Sequence, residues 1–174
     1  MIKLTALLLP LTLLTAPGLT GAEFSAVVVD VYDGDTLTVR DQERTVKIRL
    51  SGIDSPERNQ PFGDHARSFT ADLAIGRIVT VIDERTDRYG RLVAWVILPD
   101  GRNLNEEIVA AGWAWWYRQH SPGSRVLAAL ESEACNRHRG LWAAGDDPTA
   151  PWEWRKHPLR SKRSDRRDTG RARR

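Results

Sequence analysis

Cysteine is nearly missing from this chain: Cys135 is the single one in 174 residues. No intramolecular disulfide can form, so the fold must hold by packing alone, and a zinc site built from several thiolates is excluded. Cys135 itself reads as a small buried residue on a helix. Histidine is sparse too, and His65, His120, His138 and His157 are scattered without close pairing. That removes the histidine-rich nuclease motifs and the His-x-Lys arrangement of phospholipase-type enzymes, and it disfavours a chemically soft metal. His65 reads as structural or solvent-facing. Neither an internal repeat nor a glycine-rich phosphate loop is present. No apolar run reaches the ~20 residues that a membrane anchor needs. The stretch from Leu4 to Leu14 is too short and contains Pro10.

That short stretch follows a positive start at Met1, Ile2 and Lys3 and precedes the small residues Thr20, Gly21 and Ala22. The layout is that of a secretory signal peptide over residues 1–22, cleaved after Ala22. The expectation is a secreted or periplasmic protein with no stable membrane insertion once the signal is gone. The remaining ~150 residues suffice for one domain with its own core. No strong oligomer signal is present, which favours a monomer.

The formal charge of +3 hides an asymmetry. Glu23 to Pro151 carries 15 Lys/Arg against 20 Asp/Glu, whereas Trp152 to Arg174 carries 10 against 3. A mildly acidic domain, residues 23–145, therefore bears a linker and a basic tail, residues 146–174. Within it, Trp152-Glu153-Trp154-Arg155 can dock on the domain through its indoles. From Lys156 on, low apolar content and accumulated like charge predict disorder.

In the domain, residues 24–32 read as a strand with Val27, Val29 and Val31 on one face. Asp33-Gly34-Asp35 reads as a turn in which Gly34 takes a positive φ. Thr36 to Arg40 and Thr45 to Leu50 continue the meander, the latter with Val46, Ile48 and Leu50 on one face and Arg49 on the other. Phe62 to Ile75 has helical spacing with Gly76 as its stop. Ile78 to Ile82 and Leu92 to Leu98 read as two more strands, joined by a polar connector whose Asp83, Glu84 and Asp87 look like surface acids. A second helix starts at the N-cap Asn103, with Glu106 three residues on, buries Leu104, Ile108 and Ala111, and ends at Gly112. A third starts at Ser121-Pro122 and runs to Arg139. Five strands and three helices give an α+β, mostly β chain whose short strands can close into a small barrel.

The chemistry concentrates between Asp33 and Glu57. Four carboxylates, Asp33, Asp35, Asp54 and Glu57, and Arg49 sit where the core pattern is broken by turn residues, and carboxylates at turns can converge without being buried. Converging carboxylates call for a cation, and oxygen-only ligation suits Ca²⁺. Glu57 lies three residues after Asp54 across a turn stiffened by Pro56, so one carboxylate can bind metal while the other faces a water. Arg49, or Arg91 after Gly90, can clamp a phosphate. An acceleration of ~10¹⁷-fold, as slow hydrolyses demand, needs about 23 kcal/mol of barrier removed. A general base supplies only ~10²–10⁴-fold, so a metal and fixed guanidiniums must stabilise the transition state. These parts point to a metal-dependent phosphodiesterase.

Three blocks carry a more specific likeness: Asp33-Gly34-Asp35-Thr36-Leu37, then Ile48 to Glu57, then Asp87-Arg88-Tyr89-Gly90-Arg91, with Asn105-Glu106 and Gly112 beyond them. From Val27 to Trp142 the chain resembles the staphylococcal nuclease (thermonuclease) family. The resemblance implies a five-stranded OB-fold barrel with three helices, and Ca²⁺-dependent cleavage of DNA and RNA leaving 3′-phosphate ends. By position it makes Asp35 and Asp54 calcium ligands and Ser55 the source of a ligating carbonyl. Glu57 becomes the general base or water-orienting acid, Arg49 and Arg91 the catalytic arginines, and Arg88 and Tyr89 neighbours of the terminal phosphate. Two departures stand out. The loop from Arg58 to Gly63 is short, and Trp115-Trp116-Tyr117 stands where pocket tyrosines are expected, with Tyr117 or a Trp available to stack on a base. Two other readings are a non-cutting binding module on the same barrel and an envelope-held protein whose basic tail grips anionic polymers. The complete set Asp35, Arg49, Asp54, Glu57 and Arg91 argues against the first.

Overall fold

The computed structural model of the chain describes residues 22–145 and 147–156. The expected signal segment, apart from Ala22, and the basic tail from His157 onward lie outside the described residues. Among the described residues, no helix is long and apolar enough to cross a membrane.

Five strands close a barrel in the order β1-β2-β3-β6-β5. They are β1 (Glu23–Val31), β2 (Thr36–Asp41), β3 (Arg44–Leu50), β5 (Ile78–Thr86) and β6 (Leu92–Ile97). All pairs are antiparallel except β3 with β6. A two-residue ladder pairs β4 (Ile53–Asp54) with β7 (Trp115–Trp116). The helices are α1 (Gly63–Ala74), α2 (Leu104–Ala110), α3 (Arg125–Asn136) and a short α4 (Pro151–Trp154), with a 3₁₀ turn at Gly140–Ala144. The expected barrel and three main helices are present, and α4 and the β4–β7 ladder are additions. Two-residue strands are too short to leave an alternation in the sequence.

The core is aliphatic, with Leu37, Val39, Ile48, Leu50, Val79, Val81 and Val96 from the barrel meeting Leu104, Ile108 and Leu127 from the helices. In β1 the expected inward face is corrected. Ala26 and Val28 are buried while Val29 is exposed, and a bulge between Val28 and Asp30 then returns Val31 to the interior. A bulge inserts one residue and reverses the side-chain phase, so alternation cannot be read across it. β5 runs on to Thr86, through a second irregularity between Asp83 and Arg85, because pairing with β6 outweighs the polar composition there. α3 begins four residues later than Ser121, where the Ser124 hydroxyl accepts from the Leu127 amide. Cys135 is exposed on α3, contrary to its expected burial. Ala111 is only half-buried, and Val109 fills the core in its place.

Gly34 does not adopt a positive φ, whereas Gly76, which ends α1, does. What Gly34 supplies is space, since a Cβ there would lie 2.6 Å from Ser55 Oγ and 2.8 Å from Ala66 Cβ. The turn it occupies is held from behind by α1: the Thr70 hydroxyl donates to the Gly34 carbonyl at 2.7 Å and Arg67 Nε to the Val31 carbonyl at 2.8 Å. Asn105 does similar work on the other side. Wholly buried, it donates from Nδ2 to the carbonyls of Ser51 and Ala94, and its Oδ1 accepts from the Val96 amide. It thereby joins α2 to β6 and to the turn before β4.

Asn105→Ala removes three hydrogen bonds from a buried site. The expected loss is about 3 kcal/mol of unfolding free energy, read from urea or guanidinium denaturation.

Candidate active site

The turn between β1 and β2, the end of β3 and the β4–β7 ladder meet at one end of the barrel. Leu50 donates to the Asp35 carbonyl at 2.8 Å, and the Tyr117 amide to the Gly52 carbonyl at 2.8 Å, so Asp35, Asp54 and Tyr117 are set by backbone pairing. A cleft of about 360 Å³ results, walled by Asp33, Asp35, Arg49, Asp54, Ser55, Glu57, Arg88, Tyr89, Arg91, Tyr117, His120 and Arg155. Every residue singled out in the sequence as a site candidate is on that wall.

The acids are not surface groups. Asp35 and Asp54 are 4% and 1% exposed, which corrects the expectation of unburied convergence. Asp35 Oδ2 accepts from the Ser55 amide at 2.6 Å, and its Oδ1 accepts from the Thr36 hydroxyl at 3.2 Å and pairs with Arg49 Nη1. Arg49 Nη2 reaches Asp54 Oδ1 at 2.8 Å. Arg49 alternates away from the barrel interior as expected, yet it is largely buried between two carboxylates.

Burial and the charge of Asp35 push the Asp33 carboxyl up to about 7. Burial also pushes Asp54 upward, as does Asp35, against the opposing effects of Arg155 and Arg49. Arg49 is raised in turn: burial opposes its charge, but Asp35 and Asp54 outweigh it. Burial is the largest cause of the raised Asp33 and Asp54 carboxyls, and it outweighs the nearby guanidiniums. Among the described residues no three of His, Cys, Asp and Glu gather as a ready metal cage, and guanidiniums lie between the acids instead. The donor chemistry nevertheless fits a hard dication. It consists of the carboxylates of Asp35 and Asp54 beside the buried Ser55 Oγ, which has no hydrogen-bond partner among the described residues.

Across the cleft, the β5–β6 connector is a tight turn closed by the Asp87 amide on the Arg91 carbonyl at 2.8 Å. Asp87 is more than a surface acid. Its Oδ2 holds Arg91 Nε at 2.8 Å, and its Oδ1 accepts the amides of Tyr89 and Arg91. Burial raises the Asp87 pKa, but these bonds outweigh it and hold the group below the usual carboxylate range. Tyr89 is exposed at the rim, with the guanidiniums of Arg88 and Arg91 over its ring at 4.8 and 5.6 Å. A second cavity of about 440 Å³ shares Arg49, Arg88, Tyr89, Arg91, Tyr117 and His120 and continues the cleft along β5 through Arg85.

The aromatic run after α2 divides its roles. Trp115 is buried, Trp116 donates its indole N–H to the Ser121 carbonyl at 2.9 Å, and Tyr117 faces the cleft. One face of Tyr117 is already covered: Trp152 stacks on it at 5.6 Å with an interplanar angle of 12°. His65 is outside the cleft, stacked on Trp113 at 5.7 Å. His120 is on the wall, and burial together with the charges of Arg85, Arg49 and Arg155 lowers its pKa.

Sequence reasoning missed His120, Asp87 and above all Arg155. Arg155 Nη2 donates to Asp54 Oδ2 at 2.7 Å, while Nη1 donates to Glu57 Oε1 at 2.7 Å and to Asp54 Oδ1 at 3.3 Å. Burial works against its charge, but Asp54 and Glu57 raise its pKa above the ordinary value. The docking of Trp152 was the available signal, since an arginine three residues along a docked helix is carried to the same surface.

Residues 47–144 match the family described as Staphylococcal nuclease homologue. The chain is 43% identical over 134 residues to a protein of Escherichia coli O157:H7 named "Uncharacterized endonuclease", covering 77% of this chain and 86% of that one. It is 38% identical over 146 residues to the "Micrococcal nuclease" of Shigella flexneri, covering 78% and 82%. With "Staphylococcal-like nuclease CAN1" of Arabidopsis thaliana it shares 39% identity over 111 residues, 64% of this chain and 33% of that protein. A closed five-stranded barrel, a cleft that gathers acids and arginines at one end of it, and matches over most of the chain lead to one conclusion: the protein belongs to the staphylococcal nuclease family and is a phosphodiester hydrolase.

Proposed function

We propose that the protein is an exported, monomeric, Ca²⁺-dependent nuclease that hydrolyses DNA and RNA to 3′-phosphate products. The observation that carries this reading is the single cleft in which Asp35, Arg49, Asp54, Glu57 and Arg91 face one another. Asp35 and Asp54, with Ser55, are the residues that would hold Ca²⁺, and the ion would supply Lewis-acid stabilisation of charge on the scissile phosphate.

The protein's own groups do the remainder. Arg91, held by Asp87 through its Nε, offers its two terminal nitrogens to phosphate oxygens. Arg49 takes part from the opposite wall once the acids between which it lies are compensated. Both act as preorganised charge, worth more in a walled cleft than in water. Glu57 orients a water or takes its proton. Tyr89, flanked by two guanidiniums at the mouth, suits the phosphate and sugar of a neighbouring nucleotide. The adjoining cavity gives that nucleotide room.

Plasmid DNA incubated with Ca²⁺, with Mg²⁺ and with chelator tests the reading. Cleavage is expected with Ca²⁺ and its loss with chelator, and equal activity in chelator would refute metal dependence. Glu57→Gln is expected to lower kcat by about 10²- to 10⁴-fold, and Arg91→Ala by about 10²- to 10³-fold. Variants that bind DNA while the parent fails to cut would favour a binding module.

Ca²⁺ is also expected to raise Tm, and by more at pH 7 than at pH 5. The Asp33 carboxyl, pushed up to about 7, and the upshifted Asp54 bind more protons folded than unfolded. Without a cation their contribution therefore weakens stability as pH rises from the ordinary carboxylate range through about 7. A cation beside them reverses that sign. Differential scanning calorimetry with and without Ca²⁺ at both pH values reads it, and an equal shift at both would contradict it.

The segment 156–174 carries nine Lys/Arg and two Asp. As a substrate-binding arm it releases counterions from nucleic acid. Deleting it is then expected to flatten the dependence of log K on log salt by about 0.7 to 0.9 for each phosphate that the arm no longer neutralises. An unchanged slope in a titration from low to high salt removes the arm from substrate binding.

A further inference from the structure

The segment from Asp147 to Arg155 lies beyond the span that matches the family, which ends at residue 144, yet it reaches the heart of the cleft. Its anchoring is specific. Pro151 is buried at the start of α4. Trp152 packs edge-on against Trp115 at 6.4 Å and flat on Tyr117. The Thr149 carbonyl accepts from Gln60 Nε2 at 2.6 Å, and Trp154 Nε1 donates to Asn59 Oδ1 at 3.4 Å. Two of these four anchors are on the short loop that carries Glu57.

That loop is held besides by the Arg58 guanidinium over the Tyr32 ring at 5.1 Å and by the Gly63 amide on the Gln60 carbonyl at 3.0 Å. Gln60 Oε1 accepts from the Glu57 amide at 3.1 Å, and the Gln60 amide donates to the Glu57 carbonyl at 2.9 Å. Gln60 is thus a bridge: one end of its amide holds the Glu57 backbone and the other holds the strap. Arg155 completes the arrangement on the side chain. Its planar fork spans Asp54 and Glu57, so the two carboxylates are kept at a spacing set by a rigid guanidinium rather than by rotatable side chains.

We propose that Arg155 is a positioning residue for the hydrolysis: the 147–155 strap closes one wall of the cleft, and its guanidinium holds the Glu57 carboxylate against Asp54. The proposal rests on the reading of Glu57 as the group that orients or deprotonates water. A free glutamate on a loop samples several rotamers, and the cost of selecting one falls on every turnover unless the fold has already met it. Misplacement by about 1 Å costs about 10²-fold in rate. The same strap stacks Trp152 flat on Tyr117, whose ring also meets His120 at 4.4 Å and 66°.

An opposite role is open to the same guanidinium, that of a plug which must leave before the acids can work. The two differ in sign, and full-length Arg155→Ala and Arg155→Lys decide between them when compared with the parent and Glu57→Gln. The measurements are Tm, steady-state kinetics on single-stranded DNA with Ca²⁺, and hydrogen–deuterium exchange through residues 57–63 without substrate or metal. Positioning predicts that Arg155→Ala keeps its Tm within a few degrees and loses about 100-fold in kcat, with KM changed less than about 3-fold. It also predicts faster exchange through 57–63, and partial rescue of kcat by low-millimolar guanidinium but not by an equal concentration of sodium chloride. Arg155→Lys, which cannot span both carboxylates, is expected to fall between parent and alanine variant. An unchanged or increased kcat in Arg155→Ala overturns the proposal, the increase in favour of the plug. Unchanged exchange through 57–63 also overturns it, whether or not the parent cleaves DNA. A parent without cleavage, or a Glu57→Gln variant as active as the parent, instead sinks the functional reading, and the exchange result still decides whether Arg155 fixes the loop.

Discussion

Buried like charge is the constraint around which this molecule is arranged. Asp33, Asp35 and Asp54 share one end of a barrel with little exposure between them, and burial together with the charge of Asp35 raises the Asp33 and Asp54 carboxyls. Such a cluster is tolerated only with positive charge inside it. Arg49 supplies part, by bridging Asp35 and Asp54, and Arg155 supplies more, by bridging Asp54 and Glu57. The carboxyls of Asp33 and Asp54 are still raised, with burial as the largest cause. Carboxylates buried beside guanidiniums link the stability of this end of the barrel to its charge state. The strain of assembling the acids is set against the β-barrel, α1 and the Asn105 network, which hold the turns in place regardless of charge.

The fold meets this demand through backbone rather than through long side chains. Asp35 lies on a turn clamped by Thr70 and Leu50, and Asp54 on a ladder pinned to Trp115. Gly34 leaves the space that lets that turn close against Ser55. Preorganised dipoles and charges are most effective where they need not move when the reaction begins. The arginines are held as well, Arg91 by Asp87 and Arg49 by the acids it separates. Side-chain exposure in the cleft rises outward, from Asp54 at its floor to Tyr89 at its rim.

Much of this was legible in the chain. Alternation in β2 and β3, helical spacing in α1 and the Asn103 cap before α2 obey short-range rules that tertiary context did not override. The five acids and arginines were legible because turns interrupt the core pattern where they occur. The inward face of β1 was not, since a bulge reverses the phase without marking the sequence. Burial of Asp35 and Asp54 was hidden too: a turn residue reads as exposed unless something covers it, and here Ser55 meets Asp35 while β7 and Arg155 meet Asp54, all from 20 or more residues away. Asp87 looked like surface charge because its partner, Arg91, was assigned wholly to substrate. Arg155 lay in a stretch whose composition resembles a tail, where a single arginine carries no pattern.

That last case bears on how the active site was assembled. The match to the family ends at residue 144. Yet the loop carrying Glu57 is tied at Asn59, Gln60 and Glu57 itself to residues between Thr149 and Arg155. A short loop has few side chains with which to fix its own conformation, and a docked strap supplies the missing contacts from outside. The indoles of Trp152 and Trp154 are then the anchor that lets one arginine, about a hundred residues from the acids it touches, act as part of the floor of the cleft.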